Sequence, residues 1–196
     1  MSTVRTNKKK SISSALERFA RLASLEESIF HVGDLANLWE IKDRNNLHTT
    51  LTRYCRRGLL HRLWKGMYAI KPIERLDPIL LGFKALNSYG YLSCETTLYL
   101  AGIISQKPSA ITFVGQENRR FKLGGNQYYC RKLKDLYLYN NFGVEIIDNI
   151  PRATVERAVA DLSYYNKFSH LDFPKGVDWR KVRNIQKNLG YKIISK

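Results

Sequence analysis

Apolar positions recur at helical spacing twice in succession near the start of the chain. In Val32–Ile41, Leu35, Leu38, Trp39 and Ile41 fall on one side and Asp34 stands where an N-cap belongs. In Asn45–Arg57, Leu47, Leu51, Tyr54 and Cys55 share one face when the segment is wound at ~3.6 residues per turn, and Gly58 follows as a helix stop. Lys42-Asp43-Arg44 reads as a short polar turn between them. Leu59–Leu63 and Met67–Ile70 then read as two strands joined at Trp64-Lys65-Gly66. An earlier helix from about Ser11 to Ser24 is expected to bury Leu16, Phe19, Ala20 and Leu22 or Ala23. Helix, turn, helix and hairpin over residues 34–70 predict a winged helix-turn-helix.

The pattern changes after Lys71-Pro72-Ile73-Glu74-Arg75, a polar connector. Asp77-Pro78 signals a helix start, leading through Ile79, Leu80, Phe83 and Leu86. Ser93 starts a second helix that stops at Gly102. Alternating stretches at Ala110–Gly115, Arg119–Leu123, Tyr128–Leu133 and Val144–Asp148 predict three or four strands, the middle two joined across Gly124-Gly125-Asn126. Thr154 caps a helix from Val155 to about Tyr165 with Val155, Ala158, Val159 and Leu162 inward, and Trp179–Leu189 forms a last basic helix ending at Gly190. The predicted fold class is α+β. Residues 1–75 form a basic arm and winged helix-turn-helix, and residues 76–196 form a mixed domain with a small antiparallel sheet and C-terminal helices.

The polar side of Asn45–Arg57 carries Asn46, Thr49, Arg53 and Arg56, flanked by Asn45, Thr50, Thr52 and Arg57. Arginine can grip guanine bidentately, asparagine can do so for adenine, and threonine can reach a phosphate or offer its methyl to thymine. A merely solvated face mixes acids with bases. Residues 44–66 instead contain Arg44, Arg53, Arg56, Arg57, Arg62 and Lys65 and no acid. Double-stranded DNA is therefore the expected ligand, with Asn45, Asn46, Thr49, Thr50, Arg53, Arg56 and Arg57 at the groove and Arg62 and Lys65 on the backbone.

Composition agrees without localising the site. The chain has 33 Lys and Arg against 17 Asp and Glu, a formal charge of +16. Residues 1–75 hold 15 basic against 7 acidic residues and residues 76–196 hold 18 against 10, so both halves are equally basic. The arm at Arg5 and Lys8-Lys9-Lys10 suits either a groove contact or a solubilising tail. No run approaches the ~18 apolar residues of a membrane span and the start lacks a signal-peptide core, so the expectation is a cytoplasmic protein with no membrane partner. Cys55, Cys94 and Cys130 have no CxxC spacing and are expected as reduced thiols, Cys55 in the core.

Catalysis is not indicated, because His31, His48, His61 and His170 fall at unrelated places and in no metal-binding spacing. Glu95 with Glu145 or Asp148 is the sole acid set that suggests a nuclease metal, and no Glu-x-Lys pair follows on a strand. No enzyme activity, cofactor or metal is expected. The tyrosines at 128, 129, 137, 139, 164 and 165 suit an aromatic pocket and an ordinary core equally.

Two separated runs carry a resemblance. They are Gly90-Tyr91-Leu92-Ser93-Cys94-Glu95-Thr96-Thr97-Leu98-Tyr99-Leu100-Ala101-Gly102, followed by Pro108 and Ile111-Thr112-Phe113-Val114, and Ala153-Thr154-Val155-Glu156-Arg157-Ala158-Val159-Ala160-Asp161-Leu162. With a winged helix ahead of them, they resemble the AbiEi family of antitoxins from about residue 12 to 170. The chain departs at Val155, where the family tends to carry proline, and the likeness stops before Phe173. The resemblance implies the antitoxin of a type IV toxin-antitoxin, abortive-infection system for phage defence. Its winged helix would repress its own promoter at inverted repeats. Its C-terminal domain would counteract a nucleotidyltransferase-like toxin, often without a stable complex. Arg119, Arg120, Lys122, Arg131 and Lys132 would then be an antitoxin surface or a further nucleic-acid contact, although such a row also suits a solvated sheet face. The alternative is a stand-alone winged-helix transcription regulator whose C-terminal domain binds a ligand or a partner.

Overall fold

A computed structural model describes residues 15–165 and 171–193, and the chain divides into two compact units between Leu76 and Asp77. The basic arm, the expected helix start at Ser11 and His170 lie outside the described residues. No helix among the described residues is long and apolar enough to cross a membrane.

The first unit contains helix α1, described over 15–23, then β1 (Ile29–His31), α2 (Val32–Leu38), α3 (Arg44–Arg56), β2 (His61–Trp64) and β3 (Met67–Ala69). The strands form an antiparallel sheet in the order β1-β3-β2. Leu22, Phe30, Leu35, Trp39, Ile41, Leu47, Leu51, Tyr54, Leu60 and Tyr68 make one core. At its centre Trp39 stacks on Tyr54 with ring centroids 5.2 Å apart. Both polar tips find partners: Trp39 Nε1 donates to the Arg18 carbonyl and the Tyr54 hydroxyl to the Ala15 carbonyl. These two bonds tie α1 to the helices behind it. Leu22 is the buried anchor of α1 and Ala23 faces outward, whereas Leu16 and Ala20 also face outward, against expectation.

Two helix starts differ from the sequence expectation. His31, not Asp34, caps α2, and Asp34 occupies the third helical position, from which its carboxylate accepts the His31 backbone N–H at 2.8 Å. That is the return half of a capping box, which a search for the cap alone mistakes for the cap itself. Asp43, assigned to the turn, caps α3 by accepting the Asn46 N–H at 2.6 Å.

The second unit runs α4 (Pro78–Leu86), β4 (Gly90–Leu92), α5 (Cys94–Leu100), β5 (Ile111–Gly115), β6 (Arg119–Leu123), β7 (Asn126–Lys132), α6 (Asp135–Leu138), β8 (Val144–Ile147), β9 (Ile150–Ala153), α7 (Val155–Tyr164) and α8 (Trp179–Leu189). Its strands make one six-stranded mixed sheet, β6-β7-β5-β4-β9-β8, with β5/β7 and β4/β9 parallel. The expected small antiparallel sheet is thus corrected. β4 and β9 leave little trace in the sequence because each is short and β4 is buried along its whole length, which erases the period-two alternation.

Alternation divides the sheet between two cores. Leu92, Phe113, Tyr128 and Cys130 pack with Leu86 of α4, while Tyr91 and Val114 pack with Leu98, Val159, Val182 and Ile185 of α5, α7 and α8. Helix α4 approaches its face so closely that a Cβ on Gly82 would lie 2.3 Å from the Tyr128 ring, so only glycine fits there. Overall the chain is a mixed α+β protein with a three-stranded antiparallel and a six-stranded mixed sheet.

Candidate nucleic-acid interface

The first unit buries one side of α3 and leaves the other clear. Leu47, Thr50, Leu51 and Tyr54 are buried, while Asn45, Asn46, His48, Thr49, Thr52, Arg53, Arg56 and Arg57 are exposed. Thr50 was expected at the groove and belongs to the core. It lies three residues after Leu47 and four before Tyr54, is 0 % exposed, and donates its hydroxyl to Asn46 Oδ1 at 3.5 Å. Asn46 therefore spends part of its amide on the helix itself. The exposed stripe is better described by Asn45, His48, Thr49, Thr52, Arg53 and Arg56. His48, Thr49, Thr52, Arg53, Arg56 and Arg57 line a shallow depression of ≈ 550 Å³.

The hairpin supplies two further cations. Arg62 is exposed on β2 and Lys65 is exposed at the tight turn before β3, where Gly66 takes φ +73°. A bulge between Arg62 and Trp64 twists the strand at this point. The Gly66 carbonyl accepts the Val32 N–H at 2.8 Å, which fixes the turn against the start of α2. Cys55 is half-buried rather than enclosed, and burial raises its thiol pKa with Arg62 opposing.

The five basic residues expected to form one surface on the second unit do not share a face. In the β6/β7 register Arg119 opposes Cys130 and Arg120 opposes Tyr129, so Arg119 and Lys132 fall on the α4 side and Arg120, Lys122 and Arg131 on the other. Arg119 donates to the Ala85 and Leu86 carbonyls at the end of α4. Arg131 is only 5 % exposed, held by Glu95 at 2.6 Å, so it is not part of an exposed surface. Arg120, Lys122 and Lys132 remain exposed.

A buried polar cluster joins the two sequence runs singled out above. Asp161 accepts from Tyr91 and Ser93 on one oxygen and from Arg157 Nε and Tyr191 on the other, at 2.7–3.0 Å. Arg157 directs its remaining N–H groups to the carbonyls of Asn140, Phe142 and Tyr137 and to the Tyr91 hydroxyl. Burial opposes the Arg157 charge, but Asp161, Tyr91 and Tyr191 outweigh it and raise its pKa. Every polar group here has a partner, so the cluster is a clamp between strand β4, helix α7 and Tyr191 just beyond α8, with no open position for a substrate. Asp161 escapes the sequence pattern because its partners Tyr91, Ser93 and Tyr191 are distant along the chain.

Glu95 binds Arg131 and Asp148 binds Arg152 at 3.0 Å, so two of the three acids weighed for a nuclease metal are paired with arginines. Among the described residues no three His, Cys, Asp or Glu side chains gather as a metal site. Cys94 is fully buried, and burial followed by Asp161 raises its thiol pKa, which removes it as a nucleophile.

No protein-family model matches the sequence, and no curated protein matches it. Among solved structures the chain is similar to the RV2827C protein from Mycobacterium tuberculosis, with a TM-score of 0.59 and 13% identity, covering 89% of this chain and 71% of that one. At that identity the likeness is one of fold.

Proposed function

We propose that this chain is a promoter-binding autorepressor and antitoxin of a type IV toxin-antitoxin system. Its first unit acts as a winged helix-turn-helix on double-stranded DNA. The observation that carries the DNA half is the division of α3 into a closed apolar side and an exposed stripe of Asn45, His48, Thr49, Thr52, Arg53 and Arg56, with Arg62 and Lys65 exposed on the following hairpin. A major groove admits one helix, and this stripe offers it donors and acceptors without a single acid. Arg53 and Arg56 read base edges, while Arg62 and Lys65 rest on phosphates.

The antitoxin half rests on the resemblance of Gly90–Gly102 and Ala153–Leu162 to the AbiEi family. It is supported by the way both runs meet in one hydrogen-bonded clamp through Ser93, Tyr91, Arg157 and Asp161. The partner it would counteract is a nucleotidyltransferase-like toxin in the cytoplasm.

A gel-shift titration of the chain on its own upstream DNA at ~150 mM salt, against excess random duplex, tests the repressor half, because that salt suppresses charge-only binding. Retention of the promoter is expected, and equal binding to both duplexes overturns it. Co-expression with the neighbouring toxin tests the other half. A full-length Arg53→Ala, Arg56→Ala variant should still protect cells while losing repression, and loss of both together would contradict the division of labour.

A further inference from the structure

We infer that the second unit carries a nucleoside-phosphate site on the open face of its β5-β7-β6 edge. There a cleft of ≈ 480 Å³ is lined among others by Glu95, Arg120, Lys122, Gln127, Tyr129 and Arg131. That size falls in the ~300–1,000 Å³ range of small-molecule pockets. Alternation puts the residues there: Arg120 opposes Tyr129, Lys122 opposes Gln127, and Arg131 follows two positions after Tyr129 on the same face.

Three features of the wall select the ligand. Arg120, Lys122 and Arg131 outnumber the one carboxylate, Glu95, so the ligand is an anion, and the exposed pair at the rim suits phosphate oxygens. Tyr129 offers a ring on which the Arg120 guanidinium rests at 4.5 Å and beside which Arg131 lies at 5.2 Å, and such a stack accepts a planar base in place of Arg120. At the floor, Arg131 spends Nη2 on Glu95 Oε1 at 2.6 Å, while its Nε and Nη1 and Glu95 Oε2 are buried and without a hydrogen-bond partner. Buried polar atoms without partners cost free energy, so a native structure keeps them where a ligand or water completes them. Donors beside an acceptor match the edge of a nucleobase. They do not match a bare phosphate, which Glu95 would repel.

Binding would lift Arg120 from the Tyr129 ring, insert the base there with its edge toward Arg131 and Glu95, and leave Arg120 and Lys122 on the phosphate. The shared chemistry fits a free nucleotide and the terminal nucleotide of a single strand. The site lies wholly within the second unit and does not depend on the duplex-binding role of α3.

Calorimetric titration of the full chain with ATP, GTP, CTP, UTP, inorganic tripolyphosphate and a short single-stranded oligoribonucleotide tests it. At least one nucleotide should bind saturably, one per chain, with tripolyphosphate about tenfold weaker or worse. Arg120→Ala with Lys122→Ala, and separately Tyr129→Leu, should each weaken the nucleotide about tenfold or more, while Arg53→Ala leaves it unchanged. Glu95→Gln should narrow the gap between nucleotide and tripolyphosphate. Oligoribonucleotide binding that exceeds free nucleotide in the Arg53→Ala background, and falls with Arg120→Ala and Lys122→Ala, assigns the site to a strand end; parity assigns it to free nucleotide. Absence of saturable binding by every nucleotide and the oligoribonucleotide, equal binding of tripolyphosphate, or indifference to the rim substitutions overturns the site. Parallel loss of promoter binding by Arg53→Ala, with the nucleotide retained, keeps this outcome separate from that of the proposed repressor.

Discussion

Helices α3 and α7 both carry arginines, and their environments are opposite. Arg53 and Arg56 of α3 are exposed beside threonines, whereas Arg157 of α7 is 0 % exposed and all its N–H groups are engaged by Asp161, Tyr91 and three carbonyls. The difference is one of supplied acceptors. Where the fold delivers a carboxylate and carbonyls from several elements, an arginine becomes structure; where it delivers none, the donors remain for a ligand. Arg157 thus directs its charge into the second unit, whereas Arg53 and Arg56 present theirs outside the first.

Breaking the inward side should have the largest effect. Asp161→Ala strands a buried guanidinium and removes the acceptor for Tyr91, Ser93 and Tyr191, so it should cost the second unit ~3–5 kcal/mol. Urea unfolding followed separately in the two units checks this. A loss of under ~1 kcal/mol would show that the clamp is not what holds β4 to α7 and Tyr191.

Alkaline pH should weaken the same unit next. Burial, and then the Glu117 carboxylate, push the Cys130 thiol from 9.0 up to about 11, and burial followed by Asp77 pushes the Tyr128 hydroxyl from 10.0 up to about 12. Both groups are held protonated in the folded chain. Their contribution is therefore complete below the unfolded values and is lost as pH rises through the folded ones, about 9 to 11 for Cys130 and 10 to 12 for Tyr128. The Cys130 share is about 3 kcal/mol. Urea midpoints at pH 8 and pH 11 should fall apart in the native chain and approach each other in Cys130→Ser; an unchanged gap would remove the thiol as a cause.

How much of this contrast the sequence reveals depends on range. The exposed stripe of α3 is legible because leucines at 47 and 51 define the opposite side within one helix. Thr50 slips through because a threonine beside that boundary reads as polar, although its neighbours at 47 and 54 draw it inward. The β6/β7 hairpin is legible from Gly124-Gly125, which sets its register locally. Arg157 and Asp161 look like an ordinary surface pair four apart, since the tyrosine that buries them comes from position 91. Arg131 likewise reads as one of a basic row, and its partner Glu95 lies 36 residues away. Period-two alternation assigns a residue to a side of a strand; which side a helix covers is decided by contacts distant in sequence.

On the outward side, Arg53→Ala should leave folding within ~0.5 kcal/mol, since the side chain is exposed. It should cost ~1–3 kcal/mol on the cognate duplex and relax base preference there. Binding curves on cognate and random duplexes separate these cases, and equal losses on both would make Arg53 a backbone contact.

Lys65 should give the smallest effect and the cleanest contrast with Arg53. It stands exposed at the hairpin turn, with the backbone of that turn pinned through Gly66 to Val32, so its ammonium projects from a fixed point. An ammonium is a point charge without the forked geometry that distinguishes bases, so it meets a phosphate. Lys65→Ala should weaken all duplexes alike and lower the slope of log affinity against log salt by ~0.9, one released counterion. Affinities at several salt concentrations measure that slope. An unchanged slope would place the hairpin tip off the DNA and leave α3 to account for binding without it.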